Sequence, residues 1–488
     1  MAPQDSCLTR HRTLPSSRLL VFLIDSVVRF IAYGRWFTFV GGRKASLGVP
    51  SVLHRSGDMR ITQEERWTGE RIAALQRKAW AKTWQHAQAH SPFYREHLRR
   101  VGGATRTPIP LKEIGLVTAI DKSVLSENPN AFLCVPPQRV VDIVTTSGST
   151  GKPLVYMLTE ADLRRLALNE HHSFRCAGLT ASDAVLLAVT LDRCFIAGMA
   201  YFMGLRLLGC AIVRAGPATP LLNLEMLQRA RVTAIVGVPS SLLLLAERAA
   251  EAGLDAAKLG VRKLICIGEP IRKQDFSLNR AGELLAQRWQ ARVYSTYGNT
   301  ELAASLCECD AGRGGHLHPE LLYLEALDEA GCPVPDGQVG ELTATTFGVE
   351  AMPLIRYRTG DFAAMYREPC SCGRHTLRIG PIVGRASQKL KFKGTTIFPA
   401  ALKAVLDSFP GISAYVIMAR RSANGADAVE VRFACGGDWN GALRALRERF
   451  QGAVKVVPEI TLATSAEIEA LQMPEGARKR RYFVDLRG

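Results

Sequence analysis

The stretch VTTSGSTGKPLVY, residues 144–156, joins two apolar, β-rich segments through a run of glycine and hydroxyl residues. Glycine lets a ligand approach the backbone closely, and successive N–H groups can hold an anion. A Walker A loop needs four residues between its glycines and a helix directly after it. Here two residues separate Gly148 from Gly151, and Pro153, which has no N–H, follows Lys152. The stretch therefore predicts an anion-binding turn between two strands, and neither a Walker A loop nor a Rossmann motif.

Outward from this turn, β-rich runs alternate with helical stretches between about residues 140 and 300. Such a rhythm predicts an α/β core with parallel strands. The runs end in glycine, proline, serine or threonine, and ligands bind beyond the carboxyl ends of the strands in open α/β sheets. The loops after the runs are therefore the predicted place of a site. The runs are VVDIVTT, AVLLAVT, CAIVRAG, VTAIVGVP, KLICIGEP and ARVYSTYG.

The length of 488 residues predicts more than one domain. Residues 60–101 have helical apolar periodicity, and a short βαββαβ-like pattern begins after Gly384 and Arg385. We predict a large α/β domain with mixed or parallel sheets over residues 60–385 and a small, mobile α+β domain over residues 386–488. Residues 1–59 are predicted to be an N-terminal extension that contains an amphipathic helix.

Charge and composition limit the class of protein. The apolar segment 18–40 is interrupted by Asp25, Arg29 and Arg35, and its longest uncharged run is far shorter than the ~20 residues of a membrane span. A peripheral membrane contact of this segment is the less favoured alternative. The net charge of +17 comes from basic residues spread along the chain, which predicts a solvated basic surface and no specific nucleic-acid site. Eight of the twelve cysteines are scattered along the chain, which is typical of a reducing compartment and predicts a cytoplasmic protein.

Five motifs resemble those of the adenylate-forming superfamily, and they occur in that family's order. TTSGSTGKP (145–153) is similar to its phosphate-binding signature. SPFYREHL, IGEP and EPCSCGR narrow the resemblance to the phenylacetate–CoA ligase branch, and the resemblance covers roughly residues 60–488. The four later motifs are STYGNTEL (295–302), IRYRTGDF (355–362), GRASQKLKFKGTTIFP (384–399) and GARKRRYFVDLR (476–487).

The resemblance implies a two-step reaction. ATP activates a carboxylic acid to an acyl-adenylate, and a thiol, either coenzyme A or the phosphopantetheine of a carrier protein, then takes the acyl group as a thioester. An apolar pocket would suit an aryl or other apolar acid. Two alternatives stay open: an adenylyltransferase of the same fold that needs no thiol, acting for instance on a deazaflavin hydroxyl, and a non-catalytic basic binding protein on a degenerate ligase scaffold. The predicted pocket residues are Phe195, Gly198, Val238 and Ser240.

The resemblance also implies the nucleotide site. Glu301 would ligate Mg²⁺ with Thr150 or Thr300 nearby, since that ion prefers oxygen ligands. Asp361 would accept hydrogen bonds from the ribose hydroxyls, with Arg378 in support. Tyr297 would stack on adenine, and Gly298 would let the backbone approach the nucleotide closely. The remaining predicted cofactor-binding residues are Glu269 of IGEP and the phosphate residues Thr146, Ser147, Gly148, Ser149, Thr150, Gly151 and Lys152.

The last motif departs from the family, in which a lysine usually follows the glycine directly. Counting back six residues from Asp485 gives Lys479, which we predict to be a catalytic residue together with Glu301 and Thr150. Arg478 is the alternative. Ser387 and Gln388 stand where the family usually has acidic hinge residues, although a hinge requires no particular side chain.

Paired cysteines and nearby histidines indicate either a structural Zn²⁺ site or buried free thiols. Two Cys-x-Cys pairs (307 and 309, 370 and 372) with neighbouring histidines offer enough soft ligands, although their spacing is not that of a zinc finger. The resemblance selects four of these residues. They are Cys309, His316, Cys370 and Cys372.

Overall fold

The computed structural model describes residues 66–102, 107–146, 154–217, 219–393, 395–422, 427–436, 439–474 and 480–487. The predicted N-terminal extension, the phosphate residues 147–152, and Lys479 with its alternative Arg478 lie outside these residues. Within the described ranges, no helix combines the length and the apolarity that crossing a membrane requires.

The described chain begins with one long helix and several short ones. In α1 (Gly69–His90), Trp80, Trp84 and Ala87 recur at helical spacing and are buried, which confirms the helix predicted from periodicity. Pro92 begins a second helix, and the Ser91 hydroxyl caps it by accepting a hydrogen bond from the N–H of Tyr94. The further helices of this part are α2 (Pro92–His97), α3 (Arg99–Gly102) and α4 (Lys122–Glu127), with 3₁₀ turns at Leu111–Leu116, Pro129–Phe132 and Pro137–Arg139.

The two segments on either side of the glycine-rich turn form a hairpin. Strand β1 (Val140–Thr145) pairs antiparallel with β2 (Val155–Thr159). The run VVDIVTT was predicted to belong to the parallel sheet, and that prediction is wrong, because β1 pairs only with its sequence neighbour. Helix α5 (Glu160–Cys176) follows directly, and its first turn is fixed by a capping box in which Thr159 and Asp162 satisfy each other's backbone N–H groups.

The predicted α/β core is confirmed. A six-stranded sheet has the order β4-β3-β5-β6-β7-β8, with parallel pairing throughout except for the antiparallel edge strand β8. Strands β3, β5 and β6 are nearly continuous apolar runs, as expected of strands buried on both faces. The elements are β3 (Ala184–Ala188), α6 (Ile196–Leu208), β4 (Ala211–Arg214), α7 (Pro220–Arg229), β5 (Ala234–Gly237), α8 (Pro239–Glu251), a 3₁₀ turn (Ala256–Lys258), β6 (Lys263–Ile267), α9 (Arg280–Trp289), β7 (Arg292–Asn299) and β8 (Ala304–Cys307).

A second, antiparallel sheet carries the TGD motif. Its order is β10-β11-β12-β13-β9, and β14 also pairs with β12, which places Arg385 opposite Asp361. The strands are β9 (Gly315–His316), β10 (Leu322–Leu327), β11 (Val339–Thr346), β12 (Tyr357–Tyr366), β13 (Arg378–Ile379) and β14 (Gly384–Arg385).

The C-terminal part forms its own four-stranded sheet, β19-β18-β17-β20, and its own apolar core. This agrees with the predicted α+β character. The boundary predicted between residues 385 and 386 stays a prediction, since the described residues on both sides of it belong to one compact unit. The elements are a 3₁₀ turn (Ala386–Gln388), β15 (Leu390–Phe392), β16 (Thr395–Ile397), α10 (Pro399–Asp407), β17 (Ile412–Arg421), β18 (Asp427–Cys435), α11 (Trp439–Val454), β19 (Glu459–Leu462), α12 (Ser465–Gln472) and β20 (Phe483–Leu486).

One buried arginine joins the first sheet to the second. The Arg165 guanidinium on α5 donates hydrogen bonds of 2.6 Å to three backbone carbonyls, those of Ala303, Leu321 and Phe347. Burial lowers the pKa of Arg165 to about 10, so the side chain stays charged at neutral pH. The fork of donors on guanidinium suits three divergent acceptors in a way that an ammonium group does not.

Candidate active site

A cavity of about 2050 Å³ opens at the carboxyl ends of the parallel strands. The loops after β3, β4, β5, β6 and β7 all contribute to its wall, in agreement with the place predicted from the sequence. The wall is completed by β12 of the second sheet and by residues of the C-terminal part. Those last residues are Ala386, Ser387, Glu469, Met473 and Arg480.

A lysine lies between two of the predicted site residues. The ammonium group of Lys122 donates to Thr146 Oγ1 at 2.8 Å and lies 3.7 Å from the Glu301 carboxylate. Glu301 is 5% exposed and also accepts a hydrogen bond from the Tyr357 hydroxyl at 3.3 Å. Sequence reasoning missed Lys122, because it stands on α4 outside every motif. Thr300, next to Glu301, also lines the cavity.

Asp361 is held by two donors. Tyr297 donates its hydroxyl to one carboxylate oxygen at 2.9 Å, and Arg385 donates Nε to the other, also at 2.9 Å. The carboxylate is 3% exposed and lines the cavity. The two hydrogen bonds fix the orientation of the Asp361 carboxylate, and its remaining lone pairs can accept hydrogen bonds from a ligand.

Arg378 does not join this group. Its buried guanidinium donates to the Arg313 carbonyl at 2.6 Å and to the Glu368 carboxylate at 2.5 Å. The side chain beside Asp361 is that of Arg385, because β14 pairs with β12 at this point while β13 pairs farther along the strand. The expectation that Arg378 supports the ribose is therefore corrected in favour of Arg385.

Tyr297 and Gly298 face opposite sides of β7. Thr296 and Gly298 line the cavity, whereas the Tyr297 ring packs into the core below it. Successive residues of a strand point to opposite faces, so the Tyr297 ring leaves the strand on the side opposite to Thr296, and its hydroxyl reaches Asp361. The expected stacking of Tyr297 on adenine stays a prediction. Gly298 lines the cavity, but a β-carbon there would make only ordinary contact, 3.4 Å from Ser305, so its expected role of letting the backbone approach the nucleotide stays a prediction.

The predicted substrate residues are partly brought together. Phe195, Val238 and Ser240 line the cavity. Gly198 does not; it lies where α6 packs so closely on the Thr190 carbonyl that a β-carbon would clash. Glu269 lies behind Ser240. The Glu269 carboxylate accepts hydrogen bonds from the Ser240 N–H at 3.0 Å and from the Ser240 hydroxyl at 2.8 Å.

The four predicted metal ligands do come together. One ligand atom each from Cys309, His316, Cys370 and Cys372 lies within 4.8 Å of the others. The sulfur atoms of Cys309 and Cys370 are 3.7 Å apart, and Cys372 Sγ lies 3.6 Å from His316 Nε2. Tetrahedral Zn²⁺ with bonds of about 2.3 Å to sulfur places two such ligands about 3.8 Å apart. The residues therefore fit the ion.

Two further features support a metal site. His316 Nδ1 lies 3.2 Å from the Thr376 hydroxyl, the kind of contact that orients a metal-binding imidazole. Hydrogen bonds from Cys309 and Cys370 lower the pKa of the Cys372 thiol, which favours the thiolate that binds metal. Cys307 is not part of the group, since its sulfur accepts a hydrogen bond from the Thr296 hydroxyl.

Comparisons with known proteins agree with this geometry. The model of the family described as AMP-binding enzyme matches residues 53–350. Phenylacetate-coenzyme A ligase of Thermus thermophilus is 29% identical over 362 residues, which are 72% of this chain and 79% of that protein. The enzyme of the same name from Pseudomonas putida is 29% identical over 73% of this chain and 80% of its own length.

Solved structures show the same fold. A 2-hydroxyisobutyryl-CoA ligase in the postadenylation state, in complex with 2-HIB-AMP, superimposes with a TM-score of 0.77 and 21% identity. The match covers 89% of this chain and 94% of that one.

Proposed function

The chain belongs to the AMP-binding enzyme family, in its phenylacetate–CoA ligase-like branch, and from this premise we propose that it joins a carboxylic acid to coenzyme A in two steps. The acid's carboxylate attacks the α-phosphate of ATP and releases pyrophosphate, giving an acyl-adenylate. The thiol then attacks the acyl carbon and releases AMP. The observation that carries the proposal is the gathering of Thr146, Lys122, Glu301 and Asp361 on one cavity wall.

Each of these side chains has a physical role in the proposal. Both reactants of the first step are anions, so the site needs fixed positive charge and hydrogen-bond donors. Lys122, already placed between Thr146 and Glu301, supplies such a charge beside the predicted phosphate loop. Asp361, oriented by Tyr297 and Arg385, accepts hydrogen bonds from the ribose hydroxyls.

Magnesium is the cation that this site would hold. The buried Glu301 carboxylate lies 3.7 Å from the Lys122 ammonium, which fits a position that favours positive charge. Glu301 would ligate Mg²⁺, with the hydroxyl of Thr300 or of Thr150 near it. When bound, the ion would neutralise phosphate charge.

The Cys309, His316, Cys370 and Cys372 group is proposed to hold a structural Zn²⁺. Four protein ligands leave no open position for catalysis. The group joins the loop after β8, which follows Glu301, to the loop after β12, which carries Asp361. The metal would therefore stiffen two segments that each supply a nucleotide-binding side chain.

The test is ATP–pyrophosphate exchange against a panel of aryl, fatty and amino acids. Exchange that depends on one class of acid supports adenylation and names the class. Adding coenzyme A should then release AMP and form a thioester; release that needs no thiol would favour the adenylyltransferase alternative. If no acid supports exchange, calorimetry with ATP separates an untested substrate from a degenerate scaffold, since only the former binds nucleotide.

The reassignment from Arg378 to Arg385 gives one prediction. Arg385→Met is expected to raise the KM for ATP by roughly three- to tenfold, because one of the two hydrogen bonds that orient Asp361 is lost. Arg378→Met should leave this KM unchanged and lower the free energy of unfolding by about 1–3 kcal/mol, since the Arg313 carbonyl loses its partner. Steady-state kinetics and thermal melting of both variants check this. A raised KM in Arg378→Met alone would restore the original assignment.

A further inference from the structure

Helix α5 presents a buried carboxylate to the cavity. Glu170 is 3% exposed and is one of the residues that line the wall. Its neighbours on the same wall are Leu166, one turn earlier on α5, and Ala200 and Tyr201 of α6. A carboxylate in such apolar surroundings is unfavourable unless its oxygen atoms are hydrogen-bonded.

The partners of Glu170 are few and neutral. Within the described residues, the hydrogen bonds that it accepts come from the Ser305 hydroxyl, at 2.8 Å to Oε2, and from the Asn169 amide, at 3.1 Å to Oε1. An ionised carboxylate can accept about four hydrogen bonds, so acceptor positions remain for a ligand. Burial raises the pKa of Glu170 to about 7, and the two hydrogen bonds only partly oppose this.

Ser305, the hydroxyl partner of Glu170, is itself held in a buried hydrogen-bond network. Ser173, on the same face of α5, contacts Ser305 and lies 3.3 Å from His318 Nε2. The carboxyl group of Glu170 is therefore fixed and incompletely satisfied at a ligand-sized space.

The position of Glu170 is set by close packing. A β-carbon on Gly204 of α6 would clash with the Glu170 side chain, so the glycine is what lets α6 lie directly against it. On the other side, Ser305 pairs with Gly298 across β7 and β8. Gly298 faces the cavity beside the proposed nucleotide site, so Glu170 borders the region that the acid would occupy. The small side chains of Ala200 and Ala304 leave room there.

We propose, resting on the acid-activating function above, that the acid carries a hydroxyl or amino substituent that donates a hydrogen bond to Glu170. The remainder of the acid is apolar, as an aryl acid is, because Leu166, Ile196 and Tyr201 form the adjoining wall. An acid without the donor would leave the Glu170 carboxyl buried against an apolar group. Sites built in this way discriminate strongly against the analogue that lacks the donor.

The experiment compares matched acids in ATP–pyrophosphate exchange. Phenylacetates and benzoates are tested as sets of equal size, in which the same ring position carries hydroxyl, amino or methyl, together with hydroxylated and methylated aliphatic pairs. Comparing the hydroxyl-bearing with the amino-bearing acids shows which of the two groups donates the hydrogen bond to Glu170. In the unaltered protein, kcat/KM for a donor-bearing acid should exceed that of its methyl counterpart by roughly tenfold or more.

Glu170→Leu should abolish or reverse this ratio, and Glu170→Gln should reduce it. The control is Glu160→Gln, which removes an exposed carboxylate from the same helix and should leave the ratio unchanged. Circular dichroism checks that each variant folds. If neither Glu170 variant folds, the ratio of kcat/KM between donor-bearing and methyl-bearing acids in the unaltered protein tests the proposal.

Two failures are distinguishable. Absence of exchange with every acid, in a protein that also fails to bind ATP by calorimetry, contradicts the proposed function itself. Exchange in which methyl- and hydroxyl-bearing acids differ by less than about threefold at every position overturns the role of Glu170 and leaves the function standing. A donor preference that survives unchanged in a folded Glu170→Leu variant would also overturn it.

Discussion

Changing Lys479 to alanine is expected to lower the rate of acyl-adenylate formation by about 10²–10³-fold, the usual effect of removing one preorganised donor from a transition state that gathers charge. The acid and the α-phosphate are both anions, and the lysine is proposed to contact oxygen atoms of both. Arg480, directly after it in sequence, lines the cavity. The measurement is the single-turnover rate of pyrophosphate release with the acid identified by the exchange panel.

The matched control is Arg478→Ala. It removes the same unit of charge from the same basic run, so any general electrostatic effect on ATP binding should appear equally in both variants. We expect Arg478→Ala to stay within about threefold of the unaltered protein, since a charge that does not contact the reacting groups contributes little. A large loss in this variant alone would move the catalytic role to Arg478. Small losses in both would mean that the run is a solvated tail.

Replacing Cys370 with serine is expected to remove the proposed zinc and to destabilise the protein severely. Structural zinc binding contributes on the order of 10 kcal/mol, similar to the entire stability of a typical domain. The loops after β8 and β12 would lose their connection, so nucleotide binding should weaken along with stability. Metal analysis should find one zinc per chain before the change and none after it, and thermal melting should show the loss of stability.

Cys307→Ser is the control for this prediction. Cys307 is buried and stands two residues before Cys309 in the sequence, but it lies outside the ligand group. Its sulfur accepts a hydrogen bond from the Thr296 hydroxyl. This change should retain the zinc and alter the free energy of unfolding by no more than about 1–2 kcal/mol. If the unaltered protein contains no zinc and Cys370→Ser melts at the same temperature as Cys307→Ser, the group consists of buried thiols without a metal.

The sequence predicted the features that repeat or that stand in motifs. The parallel sheet follows from apolar runs with turn residues at their ends, and the position of the cavity follows from the topology of such sheets. The hairpin of β1 and β2 was misjudged because an apolar run does not reveal its pairing partner.

Other side chains of the site depend on tertiary packing. The choice between Arg378 and Arg385 follows from the register of β12 with β13 and β14, which no local pattern encodes. Lys122 and Glu170 stand on helices, and nothing in their local sequence distinguishes them from surface residues. Their position in the cavity results from the packing of α4 and α5 against distant strands.

The hydrogen bonds of Arg165 have a consequence for the order of events in folding. Its three carbonyl partners are 138, 156 and 182 residues farther along the chain. Contacts of such sequence separation require closure of long loops, and chains that depend on them fold slowly. Helix α5 can form early, but the turn that carries Glu301 is completed only when both sheets are in place. Catalytic competence should therefore be acquired late and all at once, so a truncated or partly synthesised chain would not turn over ATP prematurely.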